Sequence, residues 1–471
     1  MTVQVRLKDQ YVQTIILIST LLPEAIIESM LSPLVPFMVR TLSSDVPESQ
    51  LDGAVGRRSG ILTGSFYFPL LVMNIVWGTL SDGVGRKPVL LLGLFFCGAS
   101  TLVLGVNTSS FAIAVLCRLL AGVFGANSTV AKGALGEIHM EEIGRTWAYS
   151  CYGSLFAISG ILGPLIGGIL TSNTSNSRYP YFNACFCGTV LSCCALLVAQ
   201  FLLMEPKEFL KQSKSANLEA DADSGSSFEM DERPVLGIKQ ALGTFCSVSG
   251  MRTLVNNLFE PMTPKLVIPI ILYVFIAFCN MSWMTLLALL FATEPEHGGL
   301  GFTPFASSFA MTLIGVSKLL CHIFLCRHMV RFLGPHKNFC FAMATTVPAL
   351  LGISFLGGRN AMEGASWYFV VGCMLLVGFV EANAYLSSIV MITDAVPSVS
   401  LGAAHGLAST CAALMRTVAP PLAGFAWEMV AGYRNRTWIA FLVPLVAAWS
   451  SIGVCIWSMR RMGYSGVASS E

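Results

Sequence analysis

Long apolar runs recur along this chain and constrain its fold more than any other feature. Two of them, FYFPLLVMNIVW and VLLLGLFFCGASTLVLGV, flank a short charged turn. Runs of about 20 apolar residues match the ~30 Å hydrocarbon core of a bilayer, and helices satisfy their own backbone hydrogen bonds there. Only 11% of the 471 residues are charged, whereas a soluble domain carries about 25%. The sequence therefore predicts an all-α polytopic protein embedded in a lipid bilayer.

The apolar runs divide into twelve predicted spans. Their ranges are 12–39, 60–80, 87–106, 110–133, 146–171, 182–204, 265–291, 304–326, 338–357, 367–391, 401–430 and 437–459. Residues 205–263 carry 15 charged residues, which is a density typical of a soluble or flexible linker. We therefore predict an N-terminal six-helix bundle at 1–204, a cytoplasmic linker at 205–263 and a C-terminal six-helix bundle at 264–471.

The distribution of basic residues predicts the orientation in the membrane. With both termini and the linker in the cytoplasm, 17 of the 28 Lys and Arg residues lie inside, seven lie outside and four fall within spans. This arrangement obeys the positive-inside rule. The N-glycosylation sequons at Asn107, Asn173 and Asn435 then fall on outer loops, as modification requires. We expect a monomer, in the plasma membrane rather than a vacuolar membrane.

The sequence lacks the residues that are characteristic of several functional classes. A net charge of +2 does not indicate a nucleic-acid partner. The sequence has no G-x-x-x-x-G-K-[ST] loop of an ATP-driven pump and no cluster of His, Cys or acidic residues that a membrane enzyme would need. Most of the 15 cysteines lie in apolar runs, where they serve packing. We predict no metal site, no cofactor and no enzymatic activity.

The two halves share a weak internal repeat. The matches, at offsets of 249 to 257 residues, are Gly85 with Gly334, Gly122 with Gly378, Ala126 with Ala382, Asn127 with Asn383, and Gly163 with Pro420. Matches at nearly equal offsets are more informative together than singly. Two homologous bundles facing each other are a transporter architecture, with substrate bound near the bilayer midplane between them.

The charged turn GTLSDGVGRKP joins spans two and three. Gly85 permits the backbone angles of a short turn, and Asp82 can interact with a helix N-terminus. Arg86 and Lys87 can hold the turn at the anionic inner surface. If the pattern were only D-x-x-G-R, a solvated cytoplasmic turn whose basic residues obey the positive-inside rule would be enough to explain it.

In this context the turn resembles the signature G-x-L-x-D-x-x-G-R-[KR] of the major facilitator superfamily, and every position matches. Arg118 in LCRLLAG is similar to the family's span-four arginine. A span-five motif of the proton-driven exporters is also present, although Ser150 and Ser159 replace its usual upstream glycines. Its residues here are Gly163, Pro164, Gly167 and Gly168.

Three further segments are similar to the branch of fungal drug–proton antiporter-like and plant zinc-induced facilitator-like proteins. They are PEAIIESMLSPLVPFM, GGLGFTP and LGAAHGLAST. The family resemblance implies that the charged turn gates the cytoplasmic side, with Glu137 as partner of Arg86. The gating residues are Gly78, Asp82, Gly85, Arg86, Lys87 and Glu137. It also implies that the span-five kink seals the pathway; ordinary glycine packing is the alternative.

Charged residues inside spans need a partner, a cavity or a proton, because each costs about 2.5–3.5 kcal/mol at a helix centre. Glu24 and Glu28 are four residues apart, so they share one helical face. Two carboxylates so close disfavour each other's ionisation, which makes a protonated form accessible near neutral pH. We predict that at least one couples transport to protons together with Arg118. Alternatively, one or both carboxylates lie at a hydrated or interfacial edge of the span, or Arg118 has a structural role.

The second half also carries intramembrane polar residues. Lys318, Glu381 and Arg416 could form a charged cluster that contacts substrate or serves as a structural ion-pair network. Asn280 and Trp283 suit an amphipathic organic substrate, although packing alone would explain Trp283. We therefore predict secondary active transport of a small organic molecule by alternating access, as export in exchange for protons. A facilitator or a proton symporter on the same fold is the alternative.

Overall fold

The computed structural model describes residues 9–139, 142–172, 178–206, 264–359, 364–396, 401–433 and 436–462. Almost all of the predicted linker, residues 207–263, lies outside this part of the chain. So do the sequon residues Asn173 and Asn435, and the side chains of Asp82 and Ser150. The domain boundaries therefore stay a prediction.

In the part of the chain that the structure describes, twelve helices follow one another in the order expected from the sequence. They are α1 (Gln10–Thr41), α2 (Glu48–Val84), α3 (Arg86–Val106), α4 (Phe111–Phe124 and Asn127–Ile138), α5 (Glu142–Ser172), α6 (Phe182–Leu202), α7 (Pro264–Ala292), α8 (Pro304–Leu333), α9 (Pro335–Ala344 and Thr346–Ser354), α10 (Ala365–Asp394), α11 (Leu401–Val430) and α12 (Leu442–Met462). The largest difference from the predicted spans is at α2, which begins twelve residues before position 60. Hydropathy does not reveal this helical start, because its segment ESQLDGAVGRRSG is rich in polar and glycine residues.

Three helices are interrupted. α4 breaks at Gly125 and Ala126, and α9 breaks at Thr345. α8 contains a π-helical stretch, Cys321–Leu325. In the described part of the chain, nine helices are by themselves long and apolar enough to cross a membrane. α2, α9 and α11 are not among these nine, and α9 is split into two short pieces.

The two bundles are pseudo-symmetric at the repeat positions found in the sequence. A methyl group at Gly122 would lie 2.1 Å from the carbonyl oxygen of Phe66, so this glycine lets α4 pack closely on α2. A methyl group at Gly378 would lie 2.5 Å from the carbonyl oxygen of Ile314, which lets α10 pack on α8 in the same way. These equivalent contacts support the fold of two six-helix bundles.

In the part of the chain that the structure describes, the hydrophobic contacts between the two bundles are concentrated at one end of the molecule. We call the end with the Gly85 turn the signature end, and the end with the α1–α2 and α7–α8 loops the far end. Of the described residues, the hydrophobic clusters at the signature end each draw on one bundle, one on α1 and α3–α6 and the other on α7, α10 and α11. The largest cluster contains residues from both bundles and extends to the far end. The conformation is therefore closed at the far end and open toward the signature end.

Glycines of α2 make the far-end closure possible. They are Gly53, Gly56, Gly60 and Gly64, and each faces the C-terminal half of α11. A methyl group at Gly60 would lie 2.3 Å from the carbonyl oxygen of Pro420, and Gly424 approaches the backbone of Gly56 in return. α5 and α8 cross in a similar manner at Gly160 and Gly315. Backbone-to-backbone contact of this kind leaves no room for side chains.

Candidate functional site

Glu28 lies at the centre of the N-terminal bundle in a three-residue contact. Arg118 Nη2 donates to Glu28 Oε2 at 2.7 Å, and Tyr67 Oη donates to Glu28 Oε1 at 3.1 Å. The Arg118 guanidinium also stacks over the ring of Phe66, 4.6 Å from its centroid. The side chain of Glu28 is 26% exposed and that of Arg118 is 6% exposed. The carboxylate is thus the more accessible partner of a mostly buried ion pair.

Glu24 is held by a neutral group instead of a cation. Asn127 Nδ2 donates to Glu24 Oε2 at 2.9 Å, and among the described residues no Lys or Arg lies within ion-pair distance of Glu24. Asn127 is the first residue after the break in α4, and Gly93 of α3 leaves the space that its amide occupies. Glu24 and Glu28 therefore share a face of α1 but have different electrostatic surroundings.

The C-terminal bundle contains a buried network around Glu381. Asn280 Nδ2 donates to Glu381 Oε1 at 2.5 Å, and Trp283 Nε1 donates to the same oxygen at 3.2 Å. Lys318 Nζ lies 3.4 Å from Oε2. Glu381 and Trp283 are buried, so this network links α7, α8 and α10 internally in the present conformation.

Arg416 does not join that network. Its guanidinium hydrogen-bonds to Tyr385 and interacts electrostatically with Tyr67 of the opposite bundle and with Tyr273. The rings of Tyr273 and Tyr385 meet edge-on with their centroids 5.7 Å apart. Arg416 therefore sits among tyrosines at the junction of the two bundles, apart from Lys318 and Glu381.

The span-five motif positions the helix that carries the two carboxylates. A methyl group at Gly163 would lie 2.7 Å from the carbonyl oxygen of Ile26 and 2.0 Å from Ser29 Oγ on α1. Gly167 also packs on α1, whereas Gly168 packs on Ser308 of α8. Pro164 lies inside α5. α5 thus contacts both α1, the helix that carries Glu24 and Glu28, and the opposite bundle.

The signature turn is built around the Arg86 guanidinium. Arg86 Nη2 and Nε lie 2.7 and 3.1 Å from Glu137 Oε1, and Nη1 donates to Ser81 Oγ at 2.5 Å. The Gly78 carbonyl is a further acceptor at 3.4 Å. Lys87 Nζ donates to the Gln200 carbonyl at 2.7 Å. The structure brings Arg86 and Glu137 together; their gating role stays a prediction.

Glu205 is a residue of this turn that sequence reasoning missed. Its two carboxylate oxygens accept hydrogen bonds from the backbone N–H groups of Arg86 and Lys87, at 2.7 and 3.0 Å. These N–H groups begin α3 and have no partner inside the helix. Gly85 has φ +110°, and a methyl group there would lie 3.0 Å from the Glu205 carboxylate. Only the position of Glu205, directly after the sixth span, could have pointed to it.

We expect Glu205→Ala to destabilise the protein by about 0.5–2 kcal/mol, the usual cost of losing a helix N-cap. The change leaves two backbone donors of α3 without their acceptor. Thermal unfolding of the detergent-purified protein measures the effect as a lower midpoint. Glu294→Ala is the matched control, because Glu294 is exposed and its side chain makes no cap hydrogen bond. Equal midpoints for the two variants would contradict the capping role.

Asn107 is the sequon residue that the structure describes. Its side-chain amide donates to the Ser110 carbonyl at 2.7 Å, and its Oδ1 accepts from the Ser110 N–H at 3.2 Å. The side chain thus closes the turn between α3 and α4.

Known proteins match the sequence of this chain over most of its length. A family model of the Major Facilitator Superfamily matches residues 17–294. Protein ZINC INDUCED FACILITATOR 1 of Arabidopsis thaliana is 25% identical over 428 residues, covering 88% of this chain and 83% of that protein. The major facilitator superfamily multidrug transporter mfsB of Aspergillus fumigatus is 22% identical over 453 residues, covering 83% of this chain and 75% of that protein. These relatives belong to the branch indicated by the sequence motifs.

Solved structures share the fold. The human organic anion transporter MFSD10 (TETRAN) superposes with a TM-score of 0.58 at 18% identity, covering 93% of this chain and 99% of that one. A D-xylose–proton symporter superposes with a TM-score of 0.64 at 14% identity, covering 94% and 97%. Twelve helices in two bundles, the complete signature turn and the family match together lead to one conclusion: the chain belongs to the Major Facilitator Superfamily and is a multi-pass membrane transporter, not an enzyme.

Proposed function

We propose that this transporter exports a small organic molecule in exchange for protons. The observation that carries the proposal is the pair of carboxylates on α1. Glu28 is bound to Arg118, while Glu24 accepts from the neutral amide of Asn127. Low dielectric disfavours a buried charge without a counter-ion, so Glu24 is suited to carry a proton. Glu28 can exchange its bond to Arg118 for a proton.

Alternating access supplies the rest of the cycle. The present conformation opens toward the signature end, which the positive-inside rule assigns to the cytoplasm. Substrate would enter the cavity there as protons leave the carboxylates. Separation of α2 from α11 and of α5 from α8 would then open the far end for substrate release and proton uptake. A relative from Aspergillus niger that is named efflux pump azaK supports export as the direction.

Flux into liposomes under imposed pH gradients tests this proposal. Purified protein is reconstituted and assayed with a panel that includes fluorescein, an anion, and tetramethylrhodamine methyl ester, a cation on the same ring skeleton. Antiport predicts accumulation in acid-inside vesicles, whichever way the protein inserts. Accumulation in acid-outside vesicles would instead establish symport, and equilibration without accumulation would establish a facilitator.

We also propose that both termini face the cytoplasm and that the protein works as a monomer in the plasma membrane. The excess of basic residues on the side of the termini and the linker supports the orientation. Impermeant labelling of terminal tags in intact cells tests the orientation. Labelling of either tag before permeabilisation would contradict it.

A further inference from the structure

The GGLGFTP loop presents a histidine to the opposite bundle at the far end. His297 Nδ1 lies 2.7 Å from Asp52 Oδ2, and Arg40 pairs with the other carboxylate oxygen. Asp52 belongs to α2 and Arg40 to α1, whereas His297 follows α7. The side chain of Asp52 is only 10% exposed, and that of His297 is 43% exposed. The contact therefore bridges the two bundles where they close, while part of the imidazole stays exposed.

The loop holds His297 in a fixed place. The backbone N–H groups of Leu300 and Phe302 donate to the carbonyls of Leu290 and Phe291 at 2.8 and 2.7 Å, which folds the loop back on α7. Gly298 and Gly301 have φ +93° and +63°, values that favour glycine. This accounts for the glycines of the motif. Because the loop backbone is anchored to α7, separation of the bundles at the far end would carry His297 away from Asp52.

The charge of the imidazole determines the strength of this contact. Nδ1 is close to the carboxylate but is not aligned for a directed hydrogen bond, so the attraction is mainly that of an ion pair. A neutral imidazole would lose most of it. Histidine is the side chain that ordinarily changes charge between neutral and mildly acidic pH.

Other charged groups surround His297 on the elements packed at this end. They are Arg40, Asp52, the Arg57–Glu428 pair at 2.9 Å, the Arg58–Asp45 pair, Glu294 and Glu296 on the same loop, and Arg359 after α9. Two hydrogen bonds from Arg58 lower the pKa of Asp45 to about 2. That pair stays ionised until the pH falls toward this value, so it cannot supply a response at mildly acidic pH.

We propose that His297 and Asp52 form a proton-sensitive ion pair that stabilises the closed far end. The contact exists when the far end is closed and is lost when the bundles separate there. A protonated His297 therefore favours the far-closed conformation. In the proposed export cycle, on which this role rests, acid on the far side would promote the return to the cytoplasm-open conformation.

Hydrogen–deuterium exchange of the full-length protein in lipid nanodiscs tests the role of the His297–Asp52 ion pair without any transport measurement. Peptides covering residues 48–60 and 294–302 are compared at neutral and mildly acidic pH, each variant against wild type at the same pH. For wild type we expect exchange to slow about two- to fivefold on acidification beyond the intrinsic change, as expected for a partly exposed ion pair. His297→Gln should lack this slowing, and His297→Arg should show slow exchange at both pH values.

Two controls keep the outcome specific. His328→Gln removes an exposed histidine of the signature end and should behave as wild type. In a Glu28→Gln background the His297-dependent slowing should persist, so a failure of proton coupling at α1 would be seen separately. A full acid response in His297→Gln, or exchange in His297→Arg as fast as in His297→Gln, would overturn the proposal. Asp52→Asn provides a second variant and should abolish the response in the same way.

Discussion

Glu28→Gln is expected to lower pH-gradient-driven transport at least about tenfold, because the charge-assisted bond to Arg118 is worth about 1.5–3 kcal/mol. Glutamine keeps the shape of the side chain and can still accept from Tyr67 and Arg118. It cannot release or take up a proton in the cycle. Flux into acid-inside liposomes, compared with exchange in the absence of a gradient, measures the effect.

Glu24→Gln should impair gradient-driven flux by the same route, because the amide of Asn127 would then face a side chain that never ionises. Glu48→Gln is the matched control, since Glu48 is exposed at the start of α2. It should retain wild-type flux. If both α1 variants kept full gradient-driven accumulation, the carboxylates would not be the coupling site.

Gly60→Leu is expected to lower turnover about five- to 150-fold, because overpacking commonly costs about 1–3 kcal/mol and about 1.4 kcal/mol is a factor of ten. Even a methyl group at this position would lie 2.3 Å from the Pro420 carbonyl oxygen. The carbonyl belongs to the backbone of α11 and cannot rotate away as a side chain would. The substitution therefore destabilises the far-closed conformation relative to the far-open one.

The measurement combines flux with hydrogen exchange at the far end. Gly60→Leu should show slow turnover and faster exchange in residues 48–60, while thermal unfolding still reports a folded protein. Gly453→Leu is the control on α12, because Gly453 is exposed and no atom outside its own helix lies within 4 Å of the added carbon. Wild-type turnover and exchange in Gly60→Leu would refute the role of this contact.

Much of the fold was predictable because membrane insertion imposes a strong local code. Apolar length predicted twelve helices, and the structure confirms the fold class. The start of α2 was predicted wrongly, since its first turns are polar and glycine-rich and are stabilised by packing against α11 instead of by lipid. The break in α4 was also missed, because nothing local distinguishes Gly125 from a packing glycine.

The candidate site was predictable only in part. An intramembrane carboxylate stands out in any apolar helix, so Glu24, Glu28 and Glu381 were found. Tyr67 and Asn127 were not recognised as partners of the α1 carboxylates, because they resemble packing residues until helix rotation is known. Asn280 and Trp283 were singled out as substrate residues, and in the structure both donate to Glu381. Lys318 and Arg416 were expected in one cluster. The structure separates them, with Lys318 at Glu381 and Arg416 among tyrosines.

Local composition and spacing were enough to predict that the chain spans the membrane, that its halves share a repeat, and which charges lie at membrane depth. Helix packing establishes which of those charges meet, as well as the capping of α3 by Glu205 and the contact of His297 with Asp52. It also decided which end is closed. These features join residues far apart in the chain, and they depend on helix rotation and on a small free-energy difference between two packings that no local pattern encodes.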